Sequence, residues 1–124
     1  MLETLRQIVQ EVNAAESLDV ALEIIVRRVR DAMGTEVCSV YMRDNLSGRY
    51  VFRATEGLNH ELVGVASLAP GEGLVGLVAE REEPVNLENA ENHPSFQFLP
   101  DLGEEHYHAF LGVPIIHQRD VLGV

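Results

Sequence analysis

Leu2, Leu5, Ile8, Val9 and Val12 recur at the spacing of one helix face until Asn13 to Glu16 interrupts them. A second stripe, Leu18, Leu22, Ile25, Val29 and Met33, advances in steps of three and four, and Val26 widens it. Ser17 suits the cap before it, and Gly34 the left-handed residue that ends it. Both stripes predict helices with packing faces. The leading helix has apolar surface to spare, suited to contact with a second subunit.

From Glu36 the period changes to two. Cys38, Val40 and Met42 alternate with Val37, Ser39 and Tyr41, and both rows are largely apolar. Such a strand is covered on both faces and belongs at the centre of its sheet. Asp44 to Gly48 is a turn, and Arg49 to Thr55 returns as the second arm of a hairpin. After a polar loop from Glu56 to Glu61, Val63 to Leu68 reads as a short strand ended by Pro70-Gly71. Leu74 to Glu82 has helical spacing and is stopped by Pro84. Val85 to Leu87 is a short strand. Asn89 to His106 is a long loop carrying Phe96, Phe98 and Leu99, the composition of a lid. Ala109 to His117 reads as one strand, Gln118 to Asp120 as a tight turn, and Val121 to Val124 as the start of another strand. Hairpins outnumber crossovers, so the class is α+β with a mostly antiparallel sheet. Residues 1–124 read as a single domain of a longer protein, cut before its last strand finishes.

Composition narrows the function. A chain of 124 residues, 46% hydrophobic, forms one packed domain. The net charge of −11 leaves no basic surface to replace phosphate counterions, so nucleic acid and anionic membranes are disfavoured partners. Arg27, Arg28 and Arg30 cluster, but Glu23 and Asp31 flank them, which suits a solvated helix face. No apolar run approaches the ~20 residues of a membrane span. The acidic N-terminus lacks the pattern of a signal peptide, so the expected location is cytoplasmic. One cysteine, Cys38, excludes an internal disulfide and a cysteine-rich zinc site.

Gly71, Gly73 and Gly76 spell G-x-G-x-x-G, the spacing of a dinucleotide fingerprint. That motif needs a buried parallel strand before it and a phosphate at the helix N-terminus. Here Pro70 precedes the first glycine, Glu72 would repel a phosphate, and Pro84-Val85 follows the helix. The competing reading is a tight turn, with Gly76 allowing close packing. His106 and His108 have metal-ligand spacing on a strand, but no third ligand accompanies them. No histidine sits in a recognisable phosphoacceptor sequence.

The glycine run from Gly71 to Glu80, Glu83-Pro-Val-Asn-Leu, Ala90, His93-Pro-Ser-Phe96, Phe110-Leu-Gly-Val-Pro-Ile and Val121-Leu-Gly-Val together resemble the GAF domain, over essentially the whole chain. Asn89 stands where many members carry Asp. The opening segment and the loop Leu99 to His108 resemble the N-terminal GAF domains of nitrogen-related phosphoenolpyruvate–protein phosphotransferases. The resemblance implies a GAF-like sheet of about six strands, with helices on one face and a small-molecule pocket on the other. It implies a regulatory module rather than an enzyme, partnered by the phosphotransferase catalytic domains of the same chain and often homodimeric. No cofactor is expected in this segment, magnesium belonging to the catalytic region. The implied ligand is a small metabolite, glutamine or 2-oxoglutarate. Ser39 matches a pocket serine. Thr55 falls where cyclic-nucleotide-binding members place a stacking aromatic, which argues against a purine. Arg53, two residues away on the same strand face, could grip a carboxylate or stand at the surface. Phe96, Phe98 and Leu99 would close the lid or anchor the loop. A ligand-free dimerisation module is the alternative; a nucleotide-dependent enzyme would require parallel strands around Gly71.

Overall fold

The computed structural model describes residues 2–96 and 109–124. Two helices lead: α1 (Leu2–Asn13) and α2 (Leu18–Met33). The Ser17 hydroxyl accepts from the Val20 N–H at 3.2 Å, and Gly34 ends α2 at φ +67°. The strands that follow are β1 (Cys38–Arg43), β2 (Tyr50–Glu56), β3 (Ser67–Leu68), β4 (Val85–Leu87), β5 (Phe110–Gly112), β6 (Ile115–His117) and β7 (Asp120–Gly123), with helix α3 (Gly73–Arg81) between β3 and β4. Five strands form one sheet in the order β3-β2-β1-β7-β6, and β4 pairs with β5 in a second. Every pairing is antiparallel. The α+β class holds, and β1 is central.

Each face of β1 has its own core. Val40 packs with Ala54, Leu22 and Val26, which seats α2 on the sheet. On the other face Tyr41 joins Tyr50, Phe52, Leu68, Ala79 and Val121. The Tyr41 and Phe52 rings lie 5.2 Å apart, a favourable tilted contact. A third cluster, Leu74, Leu77, Val78, Val85 and Ala90, joins α3 to the small sheet. Phe52, Val26 and Val78 are wholly buried, each contributing about 1.5–3 kcal/mol. The stripe on α2 is therefore centred on Leu22 and Val26, and its ends Leu18 and Met33 are exposed. Helix α1 has no buried residue; it lies on α2, where Arg28 reaches Glu11 and Gln7.

Two expected strands differ. Val63 to Leu68 is paired only at Ser67–Leu68. Its first part follows a 3-10 turn at His60–Leu62, and the Gly64 N–H donates to Phe52 O at 2.7 Å. Leu62, Val63 and Ala66 each pack on the core from this folded path, not from an extended one. The expected strand from Ala109 to His117 is two strands, β5 and β6, in different sheets. Pro114, which has no N–H to donate, lies at the changeover. Among the described residues the strands divide five and two, all antiparallel, in keeping with the roughly six-stranded, mostly antiparallel arrangement expected.

Candidate functional site

The β1–β2 hairpin brings two of the sequence-predicted residues together. Ser39 and Thr55 are cross-strand partners, and their hydroxyls share a hydrogen bond of 2.8 Å. The Thr55 oxygen also accepts from the Leu58 N–H at 3.4 Å. Thr55 is 3% exposed and Ser39 half-buried. The pair continues the row that carries Tyr41 and Phe52, on the sheet face covered by α3.

Arg53 is not on that face. The pairing register jumps between Val40 and Tyr41, which oppose Ala54 and Phe52, so Arg53 is the extra residue of a bulge. It turns toward α2 and pairs with Asp19 at 2.5 Å. The expected shared face with Thr55 fails because a bulge breaks the period of two by one residue. Phe96 packs against the cluster of Leu74, Leu77, Val78, Val85 and Ala90, so it anchors its loop to the base of α3. Phe98, Leu99, His106 and His108 lie outside the described residues. His93 orders the loop's start, its Nδ1 accepting from the Ser95 N–H at 3.0 Å.

The glycine motif is a turn. Gly71 and Gly73 have φ of +82° and +64°, and the Gly71 N–H donates to Gly76 O at 2.9 Å. A Cβ on Gly76 would lie 2.5 Å from Ala69 O. The α3 N-terminus already has a carboxylate beside it: Glu72 accepts from the Ala69 N–H at 3.2 Å and pairs with Arg49 at 3.5 Å. Strand β4 after the helix pairs antiparallel with β5. The parallel strands a nucleotide-dependent enzyme would need around Gly71 are not present among the described pairings.

Sequence reasoning missed a second feature. A cleft of about 230 Å³ opens against α2, lined by Glu23, Val26, Arg27, Thr55, Glu56 and His60. From the sequence its two α2 charges belong to a solvated helix face, and no sequence signal ties them to the distant Glu56 and His60. All nine basic side chains other than histidine are arginines. Among the described residues six of them hold ion pairs: Arg6, Arg28, Arg30, Arg43, Arg49 and Arg53. Of the remaining three, Arg27, Arg81 and Arg119, Arg27 lines this cleft.

Elsewhere, burial pushes the Cys38 thiol pKa up, against thiolate chemistry. Among the described residues no group of three or more His, Cys, Asp or Glu side chains is placed to hold a metal ion. No described helix is long and apolar enough to cross a membrane.

The GAF domain family model matches residues 17–124. The chain is 48% identical over 121 residues to a protein of the phosphoenolpyruvate-dependent phosphotransferase system of Escherichia coli, covering 98% of this chain and 16% of that protein. The chain thus spans about a sixth of that curated relative's length. Among solved structures, the GAF domain of a phosphoenolpyruvate-protein phosphotransferase from Coxiella burnetii superposes with a TM-score of 0.91 at 52% identity, covering 98% of this chain and 73% of that one. The corresponding Acinetobacter GAF domain gives 0.87 at 50%, covering 98% and 72%. The chain belongs to the GAF domain family and is of the type found in phosphoenolpyruvate-protein phosphotransferases.

Proposed function

We propose that this domain is the regulatory, metabolite-sensing module of a cytoplasmic phosphoenolpyruvate-dependent phosphotransferase that couples nitrogen supply to phosphoryl flux. The observation that carries the reading is the match itself: 98% of this chain aligns with only 16% of the Escherichia coli relative. In this reading phosphoryl transfer, and the magnesium it uses, belong to the rest of the parent chain. The ligand is glutamine or 2-oxoglutarate, and the Ser39–Thr55 hydroxyl pair is its anchor on the sheet. A hydroxyl pair in an otherwise apolar row gives a polar ligand orientation with little cost to packing. The test is phosphoenolpyruvate-dependent autophosphorylation of the full-length protein with each metabolite, repeated for Ser39→Ala and Thr55→Val. A ligand-dependent rate change that these variants blunt is expected. Unchanged rates and flat thermal shifts at saturating metabolite would sink the sensing role.

A ligand-free dimerisation module is the second reading, and two observations favour it. Tyr41, Phe52, Ala79 and Val121 fill the face under α3, where a ligand would otherwise lie. Helix α1 also exposes Leu2, Leu5 and Val9 at 83%, 54% and 49%. Sedimentation of the wild type against Leu5→Glu separates the two readings: a dimer lost in the variant, with no metabolite response in either protein, supports the second.

A further inference from the structure

Helix α3 serves two cores unequally. To the small β4–β5 sheet it gives Leu74, Leu77 and Val78, which pack with Val85 and Ala90. To the main-sheet core it gives Ala79, with Val75 half-buried beside it. Gly112 draws β5 closer still: a Cβ there would stand 2.9 Å from Val78 Cγ2. Burial scales with apolar area, so the weaker seam runs between α3 and the main sheet. That seam continues through the backbone. From Ala69 to Gly76 the chain is bonded to itself: the Glu72 N–H donates to Ala69 O, the Glu72 carboxylate accepts from the Ala69 N–H, and the Gly71 N–H donates to Gly76 O. This turn therefore travels with α3, and the boundary lies just after Leu68, the end of β3. At the other end Pro114 separates β5 from β6. Arg49 and Glu72 pair across the first boundary at 3.5 Å, each rooted on its own side. Arg49 donates to the Ser67 hydroxyl at 2.8 Å and to Ser67 O at 3.1 Å, whereas Glu72 is held by Ala69.

We propose that α3 and the β4–β5 sheet open from the main sheet as one unit, with the Arg49–Glu72 pair as the latch. Opening lifts Ala79 from the core it shares with Tyr41 and Phe52 and uncovers the row continued by Ser39 and Thr55. That row is closed by packing in the structure, where Thr55 is 3% exposed. From the α3 side, a ligand meets the hydroxyl pair only through the open form. Both latch side chains are partly exposed, so the pair is weak enough to tune the open population without locking the unit shut. As a gate the device rests on the sensing role proposed above; as a motion it stands without it.

Native-state hydrogen exchange of the intact protein tests it, read by mass spectrometry in peptides covering α3, β4, β5 and the β1–β2 hairpin. The α3, β4 and β5 amides should share one level of protection, below that of β1 and β2. Glu72→Gln and Arg49→Gln should each speed exchange in all three elements by the same factor, about two- to fivefold, as for an exposed ion pair, and leave β1 and β2 unchanged. The double variant should go no further than Arg49→Gln, since both substitutions remove the same pair. Exchange of α3 at the pace of β1 and β2, different factors in α3 and in β4–β5, equal acceleration of the hairpin, or no change in Glu72→Gln would each overturn the inference. Separate opening in a protein whose autophosphorylation ignores every metabolite would uphold the unit and sink the sensing role. Metabolite-dependent rates without separate opening would do the reverse.

Discussion

Replacing Gly76 by alanine sets two effects of opposite sign against each other. Gly76 lies inside α3, where alanine is favoured over glycine by about 1 kcal/mol in an unencumbered helix. Propensity alone therefore says the variant is more stable. The structure says otherwise. The added Cβ would stand 2.5 Å from Ala69 O, 2.9 Å from the Gly71 nitrogen and 3.1 Å from the Gly71 carbonyl carbon. All three are backbone atoms of the turn that enters α3, and that turn is closed by the Gly71–Gly76 hydrogen bond. No side chain can rotate away, so the helix must lift from the turn. Overpacking of this kind costs about 1–3 kcal/mol, and the lost turn bond adds about 1 kcal/mol. Less the propensity gain, the net destabilisation is about 1–3 kcal/mol, or a fall in Tm of roughly 4–12 °C. Urea denaturation followed by far-ultraviolet circular dichroism measures it. Gly34→Ala is the control: at φ +67° with nothing within 4 Å, it should cost only the left-handed strain, about 1–2 kcal/mol. A Gly76→Ala domain as stable as the wild type would refute the close-packing account of the motif.

In the β6–β7 turn, Gln118 and Arg119 both have positive φ, 51° and 67°; Arg119→Gly should stabilise by about 0.5–1 kcal/mol in the same assay, since a two-residue turn of this hand favours glycine. Arg43 holds Asp120 through two hydrogen bonds of 2.9 and 2.8 Å, which lowers the Asp120 pKa below the ordinary carboxylate value. A depressed folded pKa contributes stability above the unfolded value, about 4, that is lost as pH falls through the folded value; Asp120→Asn should therefore flatten the loss of stability below pH ~4, measured by urea midpoints across that range. Cys38, half-buried with a raised pKa, should react slowly with a thiol-disulfide reagent in the native state and fully in denaturant; equal rates in both would contradict its burial.

The two leading helices and the β1–β2 hairpin were legible because each rests on a sustained period, with Ser17 and Gly34 marking the α2 ends. The segments 63–68 and 109–117 were not. Both are apolar enough for a strand, but in the first the residues pack singly from a 3-10 turn, and in the second Pro114 separates two partners. Apolar content reports burial and leaves backbone path open. The bulge at Arg53 left no mark either, because one extra residue without glycine looks like ordinary strand. Ser39 and Thr55 are each singled out only by family resemblance, and nothing in the sequence announces that their hydroxyls bond to one another. The α2 cleft was hidden for a different reason: Glu23 and Arg27 spaced four apart normally satisfy each other, and here they do not.

Helix α1 couples order to contact. Its twelve residues are at the lower limit for a helix that persists alone in water. None of them is buried, and its polar ties to α2 run through one side chain, Arg28. Its opening should need far less free energy than unfolding the sheet, making it an early-exchanging unit. Whatever covers Leu2, Leu5 and Val9 would therefore also raise the helical population of the segment, so association at this end of the domain would be registered as folding.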